Sequence, residues 1–120
     1  MSTQTEATRS MTFKLGWIAL LVISALATLN HIMLPVYGER VTFAIGWTGY
    51  SLYSIVVLAI PFRRGERWAW YSTWILVIGF AAPILVSQES YIVYIVAYLI
   101  AAGVMAFALL LTRPAFFQTR

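Results

Sequence analysis

The chain has no cysteine and no aspartate, a single histidine, and four carboxylates in 120 residues. Without cysteine there is no disulfide, no thiolate metal site and no cysteine nucleophile. Without aspartate there is no Ser-His-Asp relay. The four glutamates, Glu6, Glu39, Glu66 and Glu89, all stand outside the apolar runs. No two carboxylates stand at a catalytic spacing, no His/Asp/Glu cluster has metal-ligand spacing, and no glycine-rich phosphate loop is present. Ordinary hydrolytic, phosphoryl-transfer and metal chemistry therefore lack their residues. No catalytic residue, metal ligand or cofactor is assigned. His31 with Glu39 is the one pairing left for membrane chemistry that needs only a histidine and a carboxylate.

Charge is also scarce. Charged residues make up 10% of the chain, hydrophobic residues 62%, and the mean hydropathy is +0.84. A water-soluble domain carries about a quarter charged residues, so this composition predicts a surface that faces lipid. The net charge is +4. The basic residues sit at the ends of apolar runs and never interleave with aromatics along a groove, so they read as topology signals and no nucleic-acid partner is expected.

Four apolar runs are present, at 15–34, 41–60, 68–86 and 91–112. Each is long enough to cross a bilayer as a helix. Each must be helical, because an isolated strand would leave backbone groups unpaired in lipid. The expected organisation is a disordered cytoplasmic tail over 1–12, a transmembrane domain over 13–113, and a cytoplasmic tail over 114–120. The connections at 35–40, 62–67 and 87–90 are short, which predicts antiparallel neighbours in contact. The fold class is all-α: a polytopic, up-down-up-down four-helix bundle. Seven of the eight basic residues (Arg9, Lys14, Arg63, Arg64, Arg67, Arg113, Arg120) fall on one side, with Arg40 alone on the other. The positive-inside rule then places both termini and the central loop in the cytoplasm. Arg9, Lys14, an apolar stretch and Ala25-Leu26-Ala27 also fit a cleavable signal peptide. The apolar run continues past that point to Leu34, which favours a retained span.

Two clusters are candidate sites. Asn30-His31 lies near the end of the first span, and Trp17, Leu20, Ser24 and Ala27 share the His31 face by helical spacing. Pro35 has no N–H for the His31 carbonyl, so the helix is expected to bend or end there. Gly46, Gly49, Tyr50 and Tyr53 form one stripe of the second span. Tyr91, Tyr94 and Tyr98, continued by Ala102, Met105 and Leu109, form one of the fourth. Together they predict an outward-opening aromatic pocket lined by Asn30, His31, Trp47, Tyr50, Tyr53, Tyr94 and Tyr98, suited to a lipid, quinone or other apolar molecule. The competing expectation is a hydrogen-bonded cluster that only locks the helices together. Gly79 and Pro83, four apart, predict a kink in the third span. Ala97/Ala101 and Ala102/Ala106 are small-xxx-small pairs for close packing.

The second cluster is the central stretch at 62–74. Arg63, Arg64 and Arg67 are expected at lipid headgroups, and Trp68, Trp70, Tyr71 and Trp74 as interfacial anchors. Trp68 and Tyr71 share one side of the helix, and Trp70 and Trp74 another, so one pair can turn into the bundle. Glu66 opens the third helix, where its charge suits the dipole and can meet a neighbouring arginine.

Arg64-Gly65-Glu66-Arg67-Trp68-Ala69-Trp70 resembles a recurrent feature of small four-helix bacterial membrane proteins of uncharacterised function. The segment from Asn30-His31 to Pro35 is similar to the end of the first helix in the broad DoxX-like group. The resemblance implies a four-helix protein of the bacterial cytoplasmic membrane and no particular activity. Small multidrug transporters share the size and helix number, but they rely on a glutamate inside the first helix, and none is present here. The expected function is a scaffold or accessory subunit, with an apolar ligand in its outer half. The alternatives are a carrier of a small apolar molecule with His31 as its polar contact, and a membrane-embedded enzyme or electron-transfer accessory using His31. The expected partners are membrane lipids and either another membrane protein or a second copy of the chain.

Overall fold

Ser10 opens the first helix. Its side chain accepts a hydrogen bond from the Phe13 backbone at 3.1 Å and caps that helix, α1, Met11–Met33. In the computed structural model, which describes residues 10–82 and 92–117, this helix begins inside the expected tail. The cap and the burial of Phe13 extend it beyond the apolar run. The far end behaves as Pro35 dictates: the Leu34 N–H reaches the His31 carbonyl, and the chain tightens into a 3-10 turn, Leu34–Tyr37. Gly38 closes that turn at φ 91°, a left-handed conformation that glycine adopts without penalty.

Helix α2, Val41–Val57, passes into a π turn, Leu58–Phe62, that contains Pro61. Proline has no N–H for the carbonyl four residues back, so regular bonding must change there. The Trp17 indole donates to the Leu58 carbonyl in this turn at 2.8 Å. Gly65, at φ 76°, turns the chain into α3, Arg67–Ala81. The carboxylate of Glu66, at the start of α3, accepts the Trp68 indole at 2.6 Å, where an arginine partner was expected. Helix α4, Ile92–Phe117, continues through Pro114. The expected end at 112 and the tail from 114 are corrected: Ala115 and Phe116 are buried, and their packing outweighs the ~3 kcal/mol that an interior proline costs.

Helix α1 packs against α2 on one side and α4 on the other, and α3 packs on α4. Helices α2 and α3 are consecutive but touch only sparsely, which corrects the expectation that every short connection joins packed neighbours. Trp70, through its indole to the Leu109 carbonyl at 3.1 Å, and Phe80, against Tyr98 at 5.5 Å between ring centroids, bind α3 to α4 instead. The α1–α4 contact is closest at Gly16, where a Cβ would stand 2.6 Å from the Ala108 carbonyl oxygen. Phe13, Phe62 and Phe116 meet with ring centroids 4.8–6.2 Å apart. The start of α1, the α2–α3 connection and the end of α4 therefore share one end of the molecule.

Among the described residues all secondary structure is helical. The stretches Met11–Tyr37, Val41–Phe62 and Ile92–Phe117 are long and apolar enough to cross a membrane. Helix α3 is described over 15 residues. Its expected continuation to 86, the Gly79–Pro83 kink, the connection at 87–90, Tyr91, residues 1–9 and residues 118–120 lie outside the described residues. The buried face of α1 carries Gly16, Ser24, Ala27, Thr28 and His31, and Leu15, Ile18, Val22, Leu26 and Leu29 are half or more exposed. The buried face of the helix is made mostly of small and polar residues, with Phe13 and Leu20 beside them, and many of its large apolar residues face out.

Candidate functional site

The His31 ring is buried between α1, α2 and α4. Its Nδ1 lies 2.7 Å from Ser51 Oγ, and its Nε2 lies 3.4 Å from the Tyr98 hydroxyl. Asn30 Nδ2 donates to that same hydroxyl at 2.7 Å. Ser51 Oγ is 3.0 Å from the Trp47 carbonyl, one turn earlier in α2. The Trp47 ring lies against the imidazole at 5.4 Å and 44°.

Counting donors orders this chain. Ser51 has one hydroxyl hydrogen, and it goes to the Trp47 carbonyl, so at His31 the serine oxygen accepts and Nδ1 carries the proton. Tyr98 accepts from Asn30, so its own hydrogen is free for a bare Nε2. The arrangement is that of a neutral imidazole, assigned from the network. It runs Asn30 to Tyr98 to His31 to Ser51 to the Trp47 carbonyl. Both ring nitrogens are spent inside it. It stops at a peptide carbonyl, which has no exchangeable proton to pass on.

Two grooves flank this chain. One, about 280 Å³, lies beside Leu26, Asn30, Phe80, Tyr94 and Tyr98, with Ala97 and Ala101 on its α4 wall. The other, about 590 Å³, opens where α2 and α3 diverge, between Phe43, Gly46 and Trp47 on one side and Ile78 and Gly79 on the other, with Tyr50 at its edge. His31 lines neither.

The expected pocket is thus divided. Asn30, His31 and Tyr98 are brought together, with Trp47 beside the ring. Tyr50 turns away to α3, where its hydroxyl donates to the Ile75 carbonyl at 2.9 Å. Tyr53 is 61% exposed. Tyr94 reaches only the smaller groove. The inward stripe of α2 is not Gly46, Gly49, Tyr50 and Tyr53 but Ala44, Ser51, Ser54 and Val57. Ser51, the residue that joins His31 to α2, was missed. The small and hydroxyl residues Ala44, Ser51 and Ser54, seven and three apart on one helical face, were the available signal. Ser24, one face of α1 with His31, is buried with its Oγ unpartnered among the described residues.

The central stretch separates into two roles. Trp68 and Tyr71 face outward, at 49% and 59% exposure. Trp70 is buried at the α4 contact, with Trp74 half-buried beside it at 5.7 Å between ring centroids. Arg63 lies over the Trp17 ring at 5.6 Å. Arg67 donates through Nε to the Phe116 carbonyl at 3.2 Å and lies over the Phe117 ring. Arg64 is exposed. No family model, curated protein or solved structure matches the chain.

Proposed function

We propose that this chain is a four-helix integral protein of a bacterial cytoplasmic membrane, acting as a non-enzymatic accessory or scaffold subunit that holds one apolar molecule, of the lipid or quinone kind, in its outer half. The observation that carries the reading is the chain from Asn30 to the Trp47 carbonyl. Among the described residues its hydrogen-bonding groups are spent on one another except at Asn30, which with the Tyr98 ring lines an apolar groove. Such a site can orient a ligand, since a few placed polar groups in an apolar groove fix orientation. It supports proton chemistry less well, because the chain ends at a backbone carbonyl and His31 presents no nitrogen to either groove. A carrier or an enzyme built on His31 draws correspondingly less support.

The membrane placement rests on the many large apolar side chains left exposed along the helices, with small and polar residues such as Gly16, Ser24 and Ser51 buried at helix contacts, as in helices packed in lipid. The orientation rests on Lys14, Arg63, Arg64, Arg67 and Arg113 gathering at the end where Phe13, Phe62 and Phe116 meet. The proposed likeness to small four-helix bacterial membrane proteins rests on residues 64–70, and to the DoxX-like group on residues 30–35.

The test is purification from membranes in a mild detergent, followed by mass analysis of what leaves the protein on denaturation. One apolar small molecule in near-stoichiometric amount is expected. A monomer that releases nothing, at any detergent concentration that keeps it folded, removes the proposal.

A further inference from the structure

The donor count leaves one polar edge unspent. Asn30 gives one N–H to Tyr98. Among the described residues its Oδ1 and its second N–H have no hydrogen-bond partner, and they are not among the buried unpartnered atoms, so they remain open there. The side chain that carries them lines the smaller groove. A primary carboxamide presents an acceptor and a donor side by side. The rest of its lining is aliphatic, with Leu26, Ala97 and Ala101, and aromatic, with Phe80, Tyr94 and Tyr98, and among the described residues no charged side chain lines it.

From this edge we infer that the groove takes a single-chain neutral lipid whose head group carries a hydroxyl, such as a long-chain alcohol. The hydroxyl donates to Asn30 Oδ1 and accepts from Asn30 Nδ2, while the chain lies along Leu26, Ala97 and Ala101. A head group that only accepts, such as an ether or a ketone, leaves Oδ1 unpaired under the ligand, and an unmade bond of this kind is costly. A charged phosphate or ammonium head meets no counter-charge among the described lining residues and would be desolvated without compensation. Tyr98 and His31 set the site indirectly. They are positioning residues: Tyr98 takes one Asn30 N–H and so fixes which edge of the amide faces the groove, and His31 holds Tyr98.

The inference rests on the apolar-ligand reading above and is tested separately from it. Full-length protein in mild detergent is titrated with oleyl alcohol and, in parallel, with oleyl methyl ether, and bound ligand per chain is counted by native mass spectrometry. The unaltered chain should bind one oleyl alcohol roughly tenfold more tightly than the ether, the size of one hydrogen bond gained. In Asn30→Leu the alcohol should fall to the affinity of the ether. In Ala97→Trp, at an exposed position of α4, both should weaken together. Equal binding of the two ligands by the unaltered chain, or a preference that survives Asn30→Leu, overturns the hydroxyl assignment and leaves the groove standing. If neither ligand binds, or if Ala97→Trp changes nothing, the ligand groove itself falls, and the proposed function with it.

Discussion

At the residue scale, His31 illustrates how burial and donor count decide a role. An isolated histidine in an apolar span invites a functional reading. Here its ring is 4% exposed and both nitrogens are occupied, by Ser51 and Tyr98. With the Ser51 hydroxyl donating to the Trp47 carbonyl, the network assigns the Nδ1–H tautomer. Nitrogen NMR of ring-labelled protein at neutral pH should show a protonated Nδ1 and a bare Nε2; the opposite tautomer would mean the chain runs the other way. Tyr98 is the branch point, bonded to two partners. Tyr98→Phe should lower stability by ~1–3 kcal/mol, since it strands an Asn30 donor and a His31 acceptor together. Tyr53→Phe, at an exposed ring, should shift thermal unfolding in detergent very little. Equal shifts for the two would place Tyr98 outside any network that matters. The histidine, asparagine and tyrosine were legible in the sequence because such residues are rare in apolar runs. Ser51 was not, because a serine in a span is common and only its neighbour across the helix gives it meaning.

At the element scale, two proline positions show tertiary contacts overruling local preference. Pro61 converts the end of α2 into a π turn, and the indole of Trp17 is bonded to the carbonyl of Leu58 within it. Pro114 sits inside α4, and the helix continues because Phe116 packs on Phe13 and Phe62 while its carbonyl accepts from Arg67. The two tryptophans of the α3 start make a further contrast. Trp70→Leu removes a buried ring and the bond to Leu109, and should cost ~3–4 kcal/mol. Trp68→Leu, at a half-exposed ring, should cost far less in the same unfolding assay. A similar loss for both would make the stretch an interfacial belt throughout. Gly16 belongs to this scale as well. Gly16→Val places side-chain atoms against the Ala108 carbonyl and Thr112, and should separate α1 from α4 at a cost of at least ~1–3 kcal/mol. A variant as stable as the unaltered chain would show that the two helices do not approach as described.

At the scale of the whole molecule, the helices pack in the order α2, α1, α4, α3, and consecutive helices are not always close neighbours. Because α3 leaves α2 and packs on α4, a wide groove opens between α2 and α3, and the polar chain is enclosed on the other side by α1, α2 and α4. The two ends differ in chemistry. One carries Lys14, Arg63, Arg64, Arg67 and Arg113 around a phenylalanine cluster. The other carries Asn30, His31 and Tyr98. In the proposed orientation the first end faces the cytoplasm. Fusions at the C-terminus should therefore fluoresce with a cytoplasmic reporter and stay silent with one that matures only outside. A fusion placed in the connection at 35–40 should do the reverse. The opposite pattern inverts the molecule and moves the candidate site to the cytoplasmic side.

The sequence by itself determined that the described chain is helical, roughly where the helices lie, and which ends gather together. Those features follow from composition, run length and the placement of charge, all of which are local. It also singled out Asn30, His31 and Tyr98, because polar groups in apolar helices are conspicuous. Only the tertiary structure decided that α3 packs on α4, that the inward face of α2 is the serine stripe, and that His31 is closed off while Asn30 is open. Those outcomes depend on which carbonyl an indole or a hydroxyl meets across a helix contact. The spacing of residues along one helix carries no information about the helix it will face.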